Sequence, residues 1–303
     1  MNMDEQLTIV LPCYNEQENI PQFFPHLLPF AEAHHFKVIA VNDGSKDETL
    51  KLLRQFEEKF SCLKVLSHKI NRGYGGAIKT GLYAVDTDFA ITIDADGQHR
   101  LQDVLSCFEC IKKYDADLVV GARQNNESGS YRTLGKFLIR TFAASLLKLP
   151  VQDLNSGMKC YRMSEAGAYL ALCPDTMAFS DVILLLMVND RRLVIETPIQ
   201  VEARTAGVST IGTSTALVTV AEILNLAVLL RPMTTFFRLG IFFLFAGIGW
   251  STFTYCKSQM LSSAAVMLMI FGFFCFTLGL LGEQLCRIRM HLARRTNLQE
   301  GNK

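Results

Sequence analysis

Residues Ile91-Thr92-Ile93-Asp94-Ala95-Asp96-Gly97-Gln98-His99 combine a short apolar run with two carboxylates one residue apart. Alternate side chains of an extended chain point the same way, so Asp94 and Asp96 are expected to aim at one place beyond a strand end. Two hard oxygen ligands suit a divalent cation that also holds a diphosphate. An acidic turn after a strand is the competing explanation.

Other polar residues stand at comparable places. Pro12-Cys13-Tyr14-Asn15-Glu16 follows one apolar run. Tyr14 offers a ring face and Glu16 accepts from hydroxyl or amide donors, although Asn15 would also serve as a helix cap. After the next run, Asp43 stands where a nucleobase edge can donate to it, with Ser45 and Asp47 as rival capping residues. Asn71–Thr80 misses the phosphate-loop pattern because Ile78 occupies a required glycine position. This excludes that class of NTPase. Its glycines, Gly73 among them, still allow a backbone to approach a nucleotide, and Lys79 reads as a solvated helix residue. A basic set comprises Arg123, Arg132, Lys136, Arg140, Lys159, Arg162 and Arg204. Arg123 and Arg204 are best placed for phosphate, which the planar guanidinium binds through paired hydrogen bonds. Asp153 and Asp181 are candidate acids or caps.

These residues must be positioned by alternating strands and helices. Strands are expected at Leu7–Leu11, Lys37–Val41, Leu63–Ser67, Phe89–Ile93 and Leu118–Gly121. Helices are expected at Asn19–Ala33, made irregular by Pro21, Pro25 and Pro29, and at Asp47–Phe60, Ala77–Val85 and Leu101–Tyr114. Such alternation implies a mainly parallel α/β sheet, whose ligands bind beyond the carboxyl ends of the strands. Further on, Asp153–Arg162 reads as a loop and strand, Met177–Asn189 as a helix and Leu193–Glu202 as extended. Thr215–Leu230 reads as a helix lying at a membrane surface or packed beside one.

Half of the 303 residues are hydrophobic and the net charge is +1, so global charge does not point to nucleic acid. Nine scattered cysteines lack a disulfide framework and fit a reducing compartment. Cys107 and Cys110 form a C-x-x-C without a second pair, and helix packing explains them better than metal. The N-terminal MNMDEQLTIV does not read as a signal peptide. Leu239–Tyr255 and Met260–Leu281 are uncharged and read as a membrane-spanning hairpin joined by Cys256–Gln259. Arginines flank the pair: Arg231 and Arg238 precede it, and Arg287, Arg289, Arg294 and Arg295 follow it. Both ends are therefore expected in the cytoplasm.

The motifs LPCYNEQENI, VNDGSKDETL, NRGYGGAIKTGL, IDADGQH, VVGAR and SGMKCYR together resemble the family-2 glycosyltransferases. Within that family they resemble the transferases that move sugars to dolichyl or undecaprenyl phosphate. The resemblance covers about residues 7–210, and the terminal hairpin is similar to a two-span anchor. It implies a GT-A fold: a Rossmann-related, mainly parallel sheet with helices on both faces, followed by an α-helical transmembrane hairpin. It also implies a domain at 1–212, juxtamembrane amphipathic helices at 213–238, the hairpin at 239–286 and a basic cytoplasmic tail at 287–303. Pro12, Tyr14, Glu16 and Asp43 would contact the nucleoside of a nucleotide-diphosphate sugar, with Gly73, Ala95 and Gln98 completing the donor site. Asp94 and Asp96 would carry Mg2+ or Mn2+. Arg123 and Arg204 would act on phosphate. Arg132, Asn155, Ser156, Arg162 and Ser209 would form the polyprenyl-phosphate site. The chain departs from relatives at Thr210, where mannosyl members often carry lysine, and at Ile183, where many carry an acid. The absence of Q-x-x-R-W argues against a processive polysaccharide synthase.

The implied chemistry is inverting transfer of a hexose, from UDP-glucose or GDP-mannose type donors, to a phosphate in the plasma or inner membrane. A phosphate monoester is anionic near neutral pH and attacks without a strong base. The expected partners are donor, acceptor and bilayer, with self-association into a homo-oligomer and no nucleic acid. The alternatives are transfer to another lipid or membrane acceptor, a catalytically silent nucleotide-sugar-binding subunit, and a nucleotidyltransferase.

Overall fold

The computed structural model describes residues 6–123, 151, 153, 156–200, 232–259 and 262–300. Arg132, Lys136, Arg140, Asn155, Arg204, Ser209 and the stretch Thr215–Leu230 lie outside the described residues. Two compact units divide the chain, Met1–Ser214 and Thr215–Lys303.

In the first unit β1 (Leu7–Cys13), α1 (Ile20–Ala33), β2 (Lys37–Asn42), α2 (Thr49–Glu57) and β3 (Leu63–Ser67) follow in turn. They lead to α3 (Tyr74–Tyr83), β4 (Phe89–Thr92), α4 (Leu101–Lys113) and β5 (Leu118–Arg123). Then come β6 (Lys159–Arg162), α5 (Met163–Leu170), α6 (Phe179–Asn189) and β7 (Val194–Ile199). The described strands form one sheet in the order β3-β2-β1-β4-β6-β5-β7. β1 pairs in parallel with β2 and β4, and β5 with β7. β6 alone runs antiparallel, between β4 and β5.

Packing explains the sequence of each element. β1 is nearly all apolar because it lies centrally and is buried on both faces; Leu7, Ile9, Val10 and Leu11 are inaccessible. α1 buries Phe23, Phe24, Leu27, Leu28 and Ala31. Pro21, Pro25 and Pro29 recur every fourth residue, and Pro21, Pro25 and Pro29 fall on its exposed face. The helix therefore runs unbroken through Pro25 and Pro29, although each removes one backbone donor. Cys107 packs in the core with its Sγ 3.8 Å from Met158 Sδ, and burial pushes its thiol up to about 12. That opposes formation of the thiolate that metal or redox chemistry needs.

The second unit contains α7 (Pro232–Ser258) and α8 (Ser263–Glu300). α7 starts earlier than the uncharged run, taking in Arg238, and α8 carries the helix well past Arg287. Stretches Pro232–Lys257 and Ser263–Ile288 are each long and apolar enough to cross a membrane. Glycines let the pair close: a Cβ on Gly240 would come within 2.9 Å of Gly272 O, and one on Gly272 within 2.9 Å of Gly240 O. Edge-on pairs Phe237–Phe276 and Phe243–Phe271 fill the seam at 4.8 Å. Phe242, Phe245, Met267 and Phe273 face outward and are 65–71% exposed, as lipid-facing side chains would be.

Candidate functional site

The carboxyl ends of β1, β2, β4 and β5 share one edge of the sheet, and the polar loops gather there. After β4, Ile93 and Ala95 turn into the core while Asp94 and Asp96 flank Ala95. Asp94 Oδ1 accepts the Tyr74 hydroxyl at 3.2 Å, and His99 Nε2 stands 3.6 Å from Oδ2. Its side chain remains 37% exposed. Burial raises the Asp94 carboxyl, but the His99 and Tyr74 hydrogen bonds and the positive charge of Arg123 outweigh it, and the net shift is downward. Burial, reinforced by Asp94, pushes the Tyr74 phenol well up, so it stays a neutral donor. Asp96 is 8% exposed, and its Oδ1 accepts the Gln98 backbone N–H at 3.2 Å.

Gly157, from the segment before β6, presses on this carboxylate. A Cβ there would lie 2.7 Å from Asp94 Oδ2. Thr92 holds the segment by donating to Gly157 O at 2.8 Å, and Lys159 Nζ donates to Ser156 O at 2.6 Å. Lys159 is wholly buried. Burial drives its ammonium down to about 8 against the opposing pull of Asp181 and Asp153.

Arg123 ends β5 and clasps Asp153 through Nε (2.7 Å) and Nη2 (3.0 Å). Glu196 of β7 accepts the Asp153 N–H at 2.8 Å, so three segments are tied together. Burial raises the Asp153 carboxyl, yet the Arg123 hydrogen bonds bring it below its ordinary value. A carboxylate so engaged is a poor general base.

The loops after β1 and β2 are laced to each other. Asn15, at φ +55, receives the Lys46 N–H on its Oδ1 (3.0 Å) and donates its own N–H to Ser45 Oγ (3.0 Å). It therefore braces the neighbouring loop instead of capping α1. Asp47 accepts the Thr49 N–H at the start of α2 and the Gln17 N–H. Tyr14 is 36% exposed, Pro12 is partly buried, and Glu16 Oε2 accepts Asn19 Nδ2 at 2.6 Å. Asp43 is buried, and its two oxygens accept the backbone N–H groups of Arg72 (2.8 Å) and Gly73 (2.9 Å).

Residues 8–164 match glycosyl transferase family 2, more than half of the chain. The chain belongs to glycosyl transferase family 2. Residues 231–288 match the GtrB C-terminal hairpin. A human dolichyl-phosphate beta-glucosyltransferase is 34% identical over 206 residues, covering 60% of this chain and 62% of that one. A UDP-N-acetylglucosamine–dolichyl-phosphate N-acetylglucosaminyltransferase from Methanococcus voltae is 33% identical over 139 residues, covering 41% and 54%. The chain spans about half the length of the curated relatives it matches. The fold is shared with glucosyl-3-phosphoglycerate synthase of Mycobacterium tuberculosis, solved with Mn2+, uridine diphosphate and phosphoglyceric acid. There the TM-score is 0.56 at 17% identity, covering 73% of this chain and 78% of that one.

Within this family 2 domain, some expected positions are corrected. Antiparallel β6 pairs Thr92 with Lys159 and Phe89 with Arg162. Arg162 therefore lies at the amino end of β4, away from the carboxylates, where it binds Asp115 Oδ1 (2.6 Å) and Ala116 O. It is not an acceptor-site residue. Ser156 is at the right edge but fully buried. Gly73 does not owe its missing side chain to a nucleotide alone: at φ +91, a Cβ there would meet Asp175 O at 2.6 Å. The 173–176 loop lies on the glycine run, and Lys79 joins it through Asp175 and Cys173 O. Tyr74 and His99, to which motif reading gave no role, reach the Asp94 carboxylate, and Lys159, read only as one of a basic set, bonds Ser156 O. Ile183 is fully buried, so its departure from an acid changes the core.

A divalent cation fits the carboxylates. A carboxylate has about four acceptor positions; Tyr74 takes one on Asp94, and His99 Nε2 stands at an ion-pair distance of 3.6 Å. Among the described residues, no three metal-ligating side chains cluster. A two-carboxylate site relying on substrate phosphates for further ligands matches the habit of Mg2+.

Proposed function

We propose that this chain transfers a hexose from a nucleoside-diphosphate sugar, of UDP-glucose or GDP-mannose type, to a membrane polyprenyl phosphate with inversion. The observation that supports it most is the partly exposed Asp94 carboxylate, held by Tyr74 and His99 at the carboxyl edge of a family 2 domain whose chain continues into a bilayer-length hairpin. The dolichyl-phosphate acceptors named for its relatives point the same way.

When bound at Asp94 and Asp96, Mg2+ or Mn2+ supplies Lewis-acid neutralisation of the departing diphosphate. Tyr74 and His99 orient Asp94 for that task. Pro12, Tyr14, Glu16 and Asp43 line the nucleoside side, with Gly73, Ala95 and Gln98 around it. Arg123 and Arg204 counter phosphate charge, and Arg132, Asn155, Ser156 and Ser209 shape the acceptor side. The acceptor is a phosphate, anionic near neutral pH, and needs no base. Asp153, committed to Arg123, is consistent with that economy. Flanking arginines support a topology with both hairpin ends, the catalytic domain at 1–212 and the tail at 287–303 in the cytoplasm, residues 213–238 leading into the spans. The chain acts at the membrane as a homo-oligomer or alone, without nucleic acid.

The test incubates purified full-length protein and Mg2+ or Mn2+ with UDP- and GDP-hexoses and short prenyl phosphates. Mass spectrometry should reveal a glycosylated prenyl phosphate. Donor hydrolysis without lipid product, or no turnover of any donor, overturns the reading.

A further inference from the structure

A buried histidine behind the nucleoside loops takes no part in the chemistry above. His68 follows β3, and its side chain is 9% exposed. Its Nδ1 lies 2.6 Å from Asp43 Oδ1, and its Nε2 lies 2.8 Å from Thr80 Oγ1 on α3. Asp43 also accepts two main-chain donors, Arg72 N–H on Oδ1 and Gly73 N–H on Oδ2. Both oxygens are therefore acceptors, and His68 Nδ1 is the donor between the two side chains. A carboxylate offers about four acceptor positions, two on each oxygen. Arg72 and His68 fill both on Oδ1. Gly73 fills one on Oδ2, and among the described residues nothing takes the last position.

We propose that His68 determines base specificity: by occupying Asp43 Oδ1 it leaves the carboxylate one acceptor position, which suits the lone imino N–H of uracil and rejects the paired N–H edge of guanine. The inference rests on the nucleoside-diphosphate-sugar reading above, in which Asp43 faces the base. Guanine presents N1–H and N2–H side by side and needs an acceptor on each oxygen. It must displace His68 or leave a donor unsatisfied in a desolvated place, which is the larger penalty in hydrogen-bonded recognition. Thr80 prevents displacement, because it holds the far nitrogen of the ring from a rigid helix.

Calorimetric titration of the full-length protein in detergent, with Mg2+ present, against UDP and GDP tests this. UDP should bind ~10- to 100-fold more tightly than GDP. In His68→Leu the preference should shrink by about 10-fold, because Oδ1 is released. His68→Asn, whose amide can donate from the place of Nδ1, should keep it. His68→Gln retains a polar group toward Thr80 without that donor, and serves in place of the leucine variant should the latter not fold. A purely structural role would weaken both nucleotides together and leave their ratio alone. Equal or tighter GDP binding to the unaltered protein overturns the proposal but not the transferase reading. So does an unchanged ratio in His68→Leu or His68→Gln. Binding of neither nucleotide to the unaltered protein overturns both.

Discussion

Gly157→Ala isolates the alignment of Asp94 from the stability of the fold. The new Cβ would sit 2.7 Å from Asp94 Oδ2 and 3.2 Å from Cγ. Ordinary contact needs about 3.5 Å, so the carboxylate must withdraw by roughly 0.8 Å. The segment cannot yield instead, since Thr92 holds Gly157 O and Lys159 holds Ser156 O. Asp94 can yield, being the partly exposed end of a side chain, but its 3.2 Å bond from Tyr74 is then lost or lengthened. Misplacement on this scale costs about 10²-fold in rate, whereas a surface-facing adjustment changes stability by about 1 kcal/mol or less. Steady-state transfer, thermal melting and Mn2+ binding followed by electron paramagnetic resonance should give a much slower enzyme with weaker metal binding and a nearly unchanged melting temperature. Full activity with unchanged Mn2+ affinity would refute the claim that Gly157 sets the carboxylate. A collapse in melting temperature would refute the claim that the segment is pinned and the carboxylate alone moves.

Asp96→Asn should lower metal-dependent transfer by ~10²- to 10³-fold without loss of the fold, measured by transfer rate and circular dichroism. Gly75→Ala should cost about 2 kcal/mol, because its Cβ would lie 2.5 Å from Pro174 O and 2.7 Å from Thr176 O; weakened nucleotide binding at unchanged melting temperature would instead make nucleotide approach the reason for that glycine. Lys159 gives a pH signature. Its ammonium sits at about 8 when folded against 10.5 ordinarily, so between those values the unfolded chain holds more protons. Its burial penalty, about 3 kcal/mol below pH 8, is relieved as pH rises toward 10.5. Relative to Lys159→Met, the unaltered protein should therefore gain stability from pH 7.5 to 10 in urea unfolding; parallel pH profiles would contradict this.

The parallel half of the sheet was legible because buried strands read as apolar runs between amphipathic helices, and β1 to β5 appear where those runs stand. Polar residues after those runs share one edge of the sheet for the same reason. β6 defeated this reading in its direction: KCYR is too short to show which way it runs, and only pairing with β4 and β5 reveals that Lys159 enters the site and Arg162 leaves it. α5 was not expected, since Met163–Leu170 is short and weakly patterned. The prolines of α1 looked disruptive because spacing was read before face; a four-residue repeat keeps them on the solvent side. Lys159 read only as one of a basic set, and Lys79 as a solvated helix residue, because a lysine in a string of letters does not disclose the carbonyl or carboxylate it reaches. His68 carries no signal of its own, because its partners Asp43 and Thr80 lie 25 and 12 positions away; Gly157 lies inside the SGMKCYR motif, but its pressure on Asp94 is visible only in the contacts.

The reversed strand has a further consequence for how this edge of the sheet is fastened. β5 ends and β6 begins on the same rim of the sheet, so Arg123 and Lys159, the residues that bound them, both stand at the end where Asp94 and Asp96 lie. Both junctions are independently riveted, one by a guanidinium–carboxylate clasp and the other by a hydroxyl and an ammonium on main-chain oxygens. A substitution that loosens one junction therefore leaves the other fastened, so the two strand ends can be perturbed one at a time.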